Sequence, residues 1–325
     1  MKNEGVYDIM KISMIEPIAV SEELLNELAA PIRALGHEVE LCLMPLSVDE
    51  KAARAMSADA LIIANSPLSG ELVENSNKLK FISVAFTGVD HVPADVCKNK
   101  GIVVSNAQGY ATVAVTELVF GMLFAKMRNL LPCDPRTREG GTKDGLVGNE
   151  LSGKTFGIVG YGAIGQAVAA VAKVFGCKVL VYTRSKSAGT IEDGVEFVAL
   201  DDLFKTSDVI SLHTPLTDQT RRMVDAEKIA LMKPTSILIN TARGAVVDPK
   251  ALTEALDNGK IAAACIDVFD LEPPLPADEP LLKSKNSILA PHVGFATKES
   301  MVKRAKIVFD NVTAWLEGKP TNVKI

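Results

Sequence analysis

The sequence predicts an α/β protein with two doubly wound parallel-sheet lobes. Its 325 residues amount to roughly two domains at about 150 residues each. Short β-branched runs alternate with amphipathic segments, the pattern of βαβ units. Those runs are nearly continuous apolar stretches, as expected for a parallel sheet covered on both faces. The 47 % hydrophobic and 23 % charged composition belongs to an ordinary globular chain, neither disordered nor rod-like.

Strands are expected at Lys11 to Ile15, Glu38 to Leu43, Ala60 to Ala64, Lys80 to Ala85 and Ile102 to Ser105. Between the first two, Leu24, Leu25, Leu28, Ile32 and Leu35 recur at helical spacing after the cap residue Ser21, with Gly36 as the stop. Ser47-Val48-Asp49-Glu50 reads as a capping box opening a second helix. Ala111 to Leu131 carries the longest apolar helical pattern, and Arg138 to Glu150 a glycine-rich loop. Strands and helices then alternate: Thr155 to Val159, Ala163 to Phe175, Lys178 to Tyr182, Asp208 to His213, Ser236 to Asn240, Pro249 to Asn258 and Ala262 to Asp267. Asp248-Pro249 is a good helix start, and a last helix runs from Lys298 to Glu317.

A net charge of -5 disfavours a nucleic-acid or anionic-membrane surface, so neither partner is expected. Five scattered cysteines without a Cys-x-x-Cys pair read as reduced thiols in a cytoplasm, with no disulfide framework and no metal site. The N-terminus lacks the apolar core of a signal peptide, and Glu4 and Asp8 interrupt it. Thr155 to Ala172 is free of charge and imitates a membrane span, but its glycines point to a different reading.

Gly160-Tyr161-Gly162-Ala163-Ile164-Gly165 follows an apolar strand and opens a helix, with a further strand after it. The first glycine permits a tight turn, the second lets the backbone approach a pyrophosphate, and the third lets helix pack on strand. That order makes this a dinucleotide-binding turn of the Rossmann type, with Ala163 and Ile164 at the helix start inside the site. NAD-specific sites usually place a carboxylate about twenty residues on, to bind the ribose 2′-hydroxyl. Here Thr183-Arg184-Ser185-Lys186 stands instead, with the nearest downstream carboxylate at Glu192. Arg184 and Lys186 suit a 2′-phosphate, with Thr183 and Ser185 as hydroxyl donors, which predicts NADP(H) over NAD(H). The plainer alternative is that both cations are solvated loop charges.

Three further segments complete an ordered set: Asn240-Thr241-Ala242-Arg243-Gly244, Asp267-Val268-Phe269-Asp270-Leu271-Glu272-Pro273 and Pro291-His292-Val293-Gly294. In that order, with the glycine turn, the chain closely resembles the D-isomer-specific 2-hydroxyacid dehydrogenases over essentially its whole length. The resemblance implies a Rossmann dinucleotide-binding domain, 102–293, inserted into a flavodoxin-like substrate domain made of 1–101 and 294–325. It also implies reduction of a small 2-oxo acid, such as glyoxylate, hydroxypyruvate or a short-chain acid, to a D-2-hydroxy acid by a homodimer. By position, Arg243 resembles the residue that holds the substrate carboxylate and polarises the 2-oxo group, His292 the general acid, and Glu272 its partner.

The chemistry agrees with these residue types. Hydride arriving at a carbonyl carbon builds charge on oxygen, which a guanidinium and a protonated imidazole stabilise. A carboxylate beside the imidazole favours its charged form. The resemblance further places Thr87, Gly88 and Val89 in the loop whose amides receive the substrate carboxylate. His213-Thr214-Pro215 falls in the adenosine-pocket loop. Asp267 falls near the nicotinamide, and Thr241, Ala242 and Gly294 join the cofactor set.

Two departures stand out. No tryptophan follows Arg138-Glu139-Gly140, the only one being Trp315, expected to be a packing residue. Val84 stands where relatives acting on phosphorylated acids often carry arginine, which disfavours such a substrate. A dinucleotide-sensing, corepressor-like scaffold and a formate- or phosphite-type dehydrogenase are the alternatives on the same fold.

Overall fold

A computed structural model describes residues 8–284 and 286–325, so Glu4 of the N-terminal reading lies outside it. The chain divides into two compact units, one of residues 1–111 with 296–325 and one of 112–295.

In the first unit five parallel strands are ordered β2-β1-β3-β4-β5. They are β1 (Lys11–Met14), β2 (Glu38–Glu40), β3 (Ala60–Ile63), β4 (Phe81–Val84) and β5 (Val103–Asn106). This is the flavodoxin-like order. The helices are α1 (Glu22–Ala34), α2 (Val48–Ser57), α3 (Gly70–Asn75) and α4 (Ala94–Lys100). The local signals for α1 and α2 act as their chemistry requires. Ser21 accepts from the Leu24 amide, and Ser47 and Glu50 form the reciprocal capping box. Strands β3 and β4 are buried throughout, which explains their unbroken apolar sequences.

The second unit carries eight strands ordered β13-β12-β11-β10-β6-β7-β9-β8. They are β6 (Thr155–Val159), β7 (Lys178–Tyr182), β8 (Ile191–Glu192), β9 (Val195–Phe197), β10 (Val209–Leu212), β11 (Ile237–Asn240), β12 (Ala263–Ile266) and β13 (Ser287–Leu289). All pairs are parallel except β8 with β9. Six of them, β9-β7-β6-β10-β11-β12, reproduce the Rossmann order. The helices are α5 (Thr112–Met127), α6 (Leu130–Arg138), α7 (Ala163–Val174), α8 (Leu200–Thr206), α9 (Ala226–Leu231) and α10 (Pro249–Asp257). Alternate strand residues enter separate cores. Ile158, Ile239 and Cys265 face one cluster with Leu123 of α5 and Val168 of α7, whereas Val159, Leu238 and Ala264 face another with Leu203 of α8 and Leu252 of α10. The chain returns to the first unit through α11 (Lys298–Leu316), which packs beside α1 and β4. There Trp315 stacks on Phe81 with ring centroids 5.1 Å apart, a packing role.

Two expectations need correction. The boundary does not fall at 101/102, because β5 pairs with β4 and keeps residues 102–111 in the first unit; the return lies at 295/296 rather than 293/294. The helical pattern over 111–131 is broken at Asn129, whose φ of 53° is left-handed, and a second helix follows. Asn tolerates that conformation, and its side chain donates to the Leu146 and Val147 carbonyls across the break. The charge-free stretch over 155–172 is β6, a turn and part of α7, and no helix among the described residues is long and apolar enough to cross a membrane.

Candidate active site

The C-terminal ends of β6 and β10 mark the point where strand order reverses, the usual ligand crevice of an open α/β sheet. Gly160 turns the chain there at φ 98°, and a side chain on it would overlap the His213 carbonyl that follows β10. The His213 amide donates to the Val159 carbonyl at 2.7 Å, which fixes this close approach. Gly162 is the N-cap of α7, has no side-chain cap, and has open space where a Cβ would stand. A Cβ on Gly165 would overlap the Gly160 carbonyl, so the third glycine seats the helix on the turn. An uncapped helix N-terminus with exposed backbone beside it suits a pyrophosphate.

Two buried hydroxyls nearby, Thr214 Oγ1 after β10 and Thr241 Oγ1 after β11, have no hydrogen-bond partner within the protein. Buried hydroxyls are ordinarily satisfied. The residues present therefore fit a nicotinamide dinucleotide. At the end of β7, Thr183 and Ser185 hydroxyls lie 3.2 Å apart, Arg184 donates to Gln219, and Lys186 donates to Glu192 at 2.6 Å. Both cations are thus engaged rather than merely solvated.

Strands β11, β12 and β13 lie side by side and lead into the segments that carry the candidate acid-base residues. After β11, the Asn240 side chain accepts from the Ala242 amide and donates to the Arg243 carbonyl, holding a tight turn. Arg243 Nη1 donates to the Ala242 carbonyl at 2.8 Å. Gly244 touches the Phe269 backbone so closely that any side chain would overlap it, which binds the Arg243 turn to the segment leading to Glu272. Beyond β13, His292 stands at φ 57° with Nδ1 2.8 Å from each Glu272 oxygen. Its ring meets Phe295 edge to face at 5.4 Å.

Asp267, after β12, shapes this loop. Its carboxylate accepts from the Val293 and Gly294 amides, and its carbonyl from the His292 amide, all at 2.8 Å. Burial raises its carboxyl above the ordinary value, against the two amide bonds and the His292 charge. A Cβ on Gly294 would press on the same carboxylate. Motif reading alone missed Asn240 as the clamp of the Arg243 turn; an Asn at a strand end just before a turn is the signal for it. It also gave Asp267 no part in setting the loop.

The other histidines differ from His292. Burial pushes His213 down to about 3, so its ring is neutral, and Nε2 lies 2.9 Å from Ser211 Oγ. His37 accepts from the Met10 amide at 3.2 Å, a structural bond. In the first unit, Thr87 is exposed and Gly88 and Val89 are half-buried. Their loop is tied to the fold by Asn106, whose side chain donates to the Thr87 carbonyl. Asn311 of α11 in turn donates to the Asn106 carbonyl at 3.0 Å.

The chain is also similar to known proteins. Residues 120–294 match the family described as D-isomer specific 2-hydroxyacid dehydrogenase, NAD binding domain. The chain is 42 % identical over 281 residues to a glyoxylate reductase of Thermococcus litoralis, covering 83 % of this chain and 84 % of that one. It is 39 % identical over 281 residues to a hydroxypyruvate reductase of Thermotoga maritima, covering 85 % and 90 % respectively. An acyclic imino acid reductase solved in complex with NADPH and D-Arg superposes with a TM-score of 0.88 at 31 % identity, over 97 % of this chain and 100 % of that one.

Proposed function

The chain belongs to the D-isomer specific 2-hydroxyacid dehydrogenase family and is an oxidoreductase that moves hydride between a nicotinamide cofactor and a 2-oxo or 2-hydroxy acid, and on that premise we propose that it reduces glyoxylate, hydroxypyruvate or a similarly short 2-oxo acid with NADP(H) preferred over NAD(H). The observation that carries this reading is the His292–Glu272 pair, set on the strand end two places from the Arg243 turn. When bound, the nicotinamide supplies the hydride. Gly160, Gly162, Ala163, Ile164 and Gly165 would hold the pyrophosphate, Thr214 and Thr241 would meet polar groups of the dinucleotide, and Arg184 and Lys186 the 2′-phosphate.

Arg243 binds the substrate carboxylate and polarises the 2-oxo oxygen. Glu272 occupies Nδ1 of His292, which leaves Nε2 to give a proton to the oxygen as charge builds there. In the oxidative direction the same nitrogen takes the proton back. Amides of Thr87, Gly88 and Val89 would receive the substrate carboxylate. The His292 ring, with its carboxylate, suits this work, whereas the neutral His213 does not. A homodimer belongs to the same proposal, which light scattering would check. Burial raises the Cys177 thiol to about 11 and the Cys265 thiol to about 12, which keeps both protonated and unreactive, and a cytoplasmic location is part of the same proposal.

The test is NADPH and NADH oxidation over a panel of 2-oxo acids, with wild type and His292→Ala. The substitution should lower kcat by about a hundredfold or more. An intact kcat would refute the acid assignment, and tight NADPH binding without turnover on any acid would favour a sensor.

A further inference from the structure

At the edge of the six Rossmann strands, β9 forms a hairpin with the added strand β8, closed by Asp193 and Gly194 at φ 48° and 73°. Two consecutive positive φ values are those of a tight type I′ turn. The hairpin is fastened to the dinucleotide turn and its helix. Lys173 of α7 donates to the Asp193 carbonyl at 2.5 Å. Tyr161, inside the glycine motif, packs edge to face on Phe197 of β9 at 5.3 Å. Lys178 of β7 pairs with Glu196 at 2.9 Å. Held in this way, β8 presents Glu192 to Lys186 at 2.6 Å, beyond the end of β7. The field of Glu192 also reaches the turn itself. Burial is the main reason that the Tyr161 phenol is raised, and Asp193 and Glu192 add to it while Lys186 opposes.

We propose that Glu192 is a specificity-determining residue for the cofactor: it holds Lys186 in an ion pair that a ribose 2′-phosphate has to break and that a 2′-hydroxyl leaves alone. This rests on the reading that Lys186 meets the 2′-phosphate. The Glu192 carboxylate then sets an upper limit on the preference for NADP(H), because binding the phosphate leaves one anion without its cation and brings two anions together. Both side chains are partly exposed, so the effect is the modest one of a surface pair.

The experiment compares kcat/KM for NADPH and NADH, with one 2-oxo acid at fixed low ionic strength, in wild type, Glu192→Gln, Lys186→Met and the double variant. Glu192→Gln should raise the NADPH to NADH ratio about fivefold, the equivalent of about 1 kcal/mol. The change should lie in the KM for NADPH and be clearly smaller in the Lys186→Met background, where only the repulsion between the two anions is left. Adenosine 2′,5′-bisphosphate should likewise bind about fivefold tighter to Glu192→Gln, with 5′-AMP unchanged. An unchanged ratio, or an equal change with and without Lys186, overturns the role of Glu192. The wild-type ratio separately tests the NADP(H) reading: a value favouring NADH refutes that reading, while the shift on substitution still reports on the pair.

Discussion

Replacing Asp267 by alanine tests whether one buried carboxylate moulds the loop that carries His292. The side chain is 1 % exposed, and both oxygens accept backbone amides at 2.8 Å. A buried amide left without a partner costs about 1–3 kcal/mol, so losing both acceptors costs roughly 2–6 kcal/mol before relief. Truncation also removes a carboxyl whose burial is unfavourable, as its raised pKa records, which brings the net loss to about 2–4 kcal/mol. At roughly 2–4 °C per kcal/mol for a unit of this size, the unfolding midpoint should fall by roughly 4–16 °C.

Because His292 is held at a left-handed φ, the loosened loop should also misplace the imidazole, at a cost on the order of a hundredfold in kcat. The pH dependence has a definite sign. The folded state keeps the Asp267 proton to higher pH than the unfolded chain, so that stabilising contribution is full below the ordinary value of 3.8 and is lost as pH rises through the raised one. Wild type should therefore give up part of its advantage over Asp267→Ala across that window and hold a constant margin above it. Thermal unfolding and NADPH-linked reduction measure the two effects. A midpoint within about 1 °C of wild type, with kcat/KM unchanged, would refute the reasoning.

Two other expectations follow from buried polar groups. Thr241→Val removes a hydroxyl that has no partner within the protein, so the cofactor-free midpoint should hold or rise while NADPH binding weakens by about two- to tenfold, as a fluorescence titration would show. A lowered cofactor-free midpoint would contradict it. His213 is depressed by burial to about 3, so its contribution is full above the unfolded value and is lost as pH falls towards the folded one. Urea unfolding at pH 7 and about pH 4.5 should thus cost wild type more stability than His213→Gln, and equal losses would count against it.

Local chemistry was the legible part of the sequence. The Ser47–Glu50 box, the Asp248-Pro249 helix start and the glycine turn each depend on residues a few positions apart, and each occurs where the sequence predicts. The Asp193-Gly194 turn was equally local, yet it went unread because β8 and β9, of two and three residues, are too short to show a period. The break at Asn129 escaped for the opposite reason. Apolar residues resume beyond it at Leu130 and Leu131, and the contacts of Asn129 and Met127 with the 146–149 segment, which hold the break, are distant in sequence.

The candidate site divides along the same line. Arg243, Glu272 and His292 came forward through the resemblance of their ordered segments to the family, and their residue types suit hydride transfer to a carbonyl, which calls for a cation, a proton donor and a partner for it. The sequence by itself therefore determined the fold class and the dinucleotide turn, and it put forward the candidate residues. Tertiary structure alone decided the contacts that fix the segments around the candidate residues of each unit: Asp267 gathering the His292 loop, Gly244 seated on Phe269, Asn311 bracing Asn106, and Glu192 drawn to Lys186. The last three join residues 25, 205 and 6 positions apart, and Asp267 reaches its loop amides across 26 and 27. Except for the short Glu192 span, sequence spacing carries no record of these pairings, because they exist only once parallel strands have brought their C-terminal ends together. For Glu192 the spacing is short, but the direction of the side chain is set by a hairpin whose register is a property of the folded sheet.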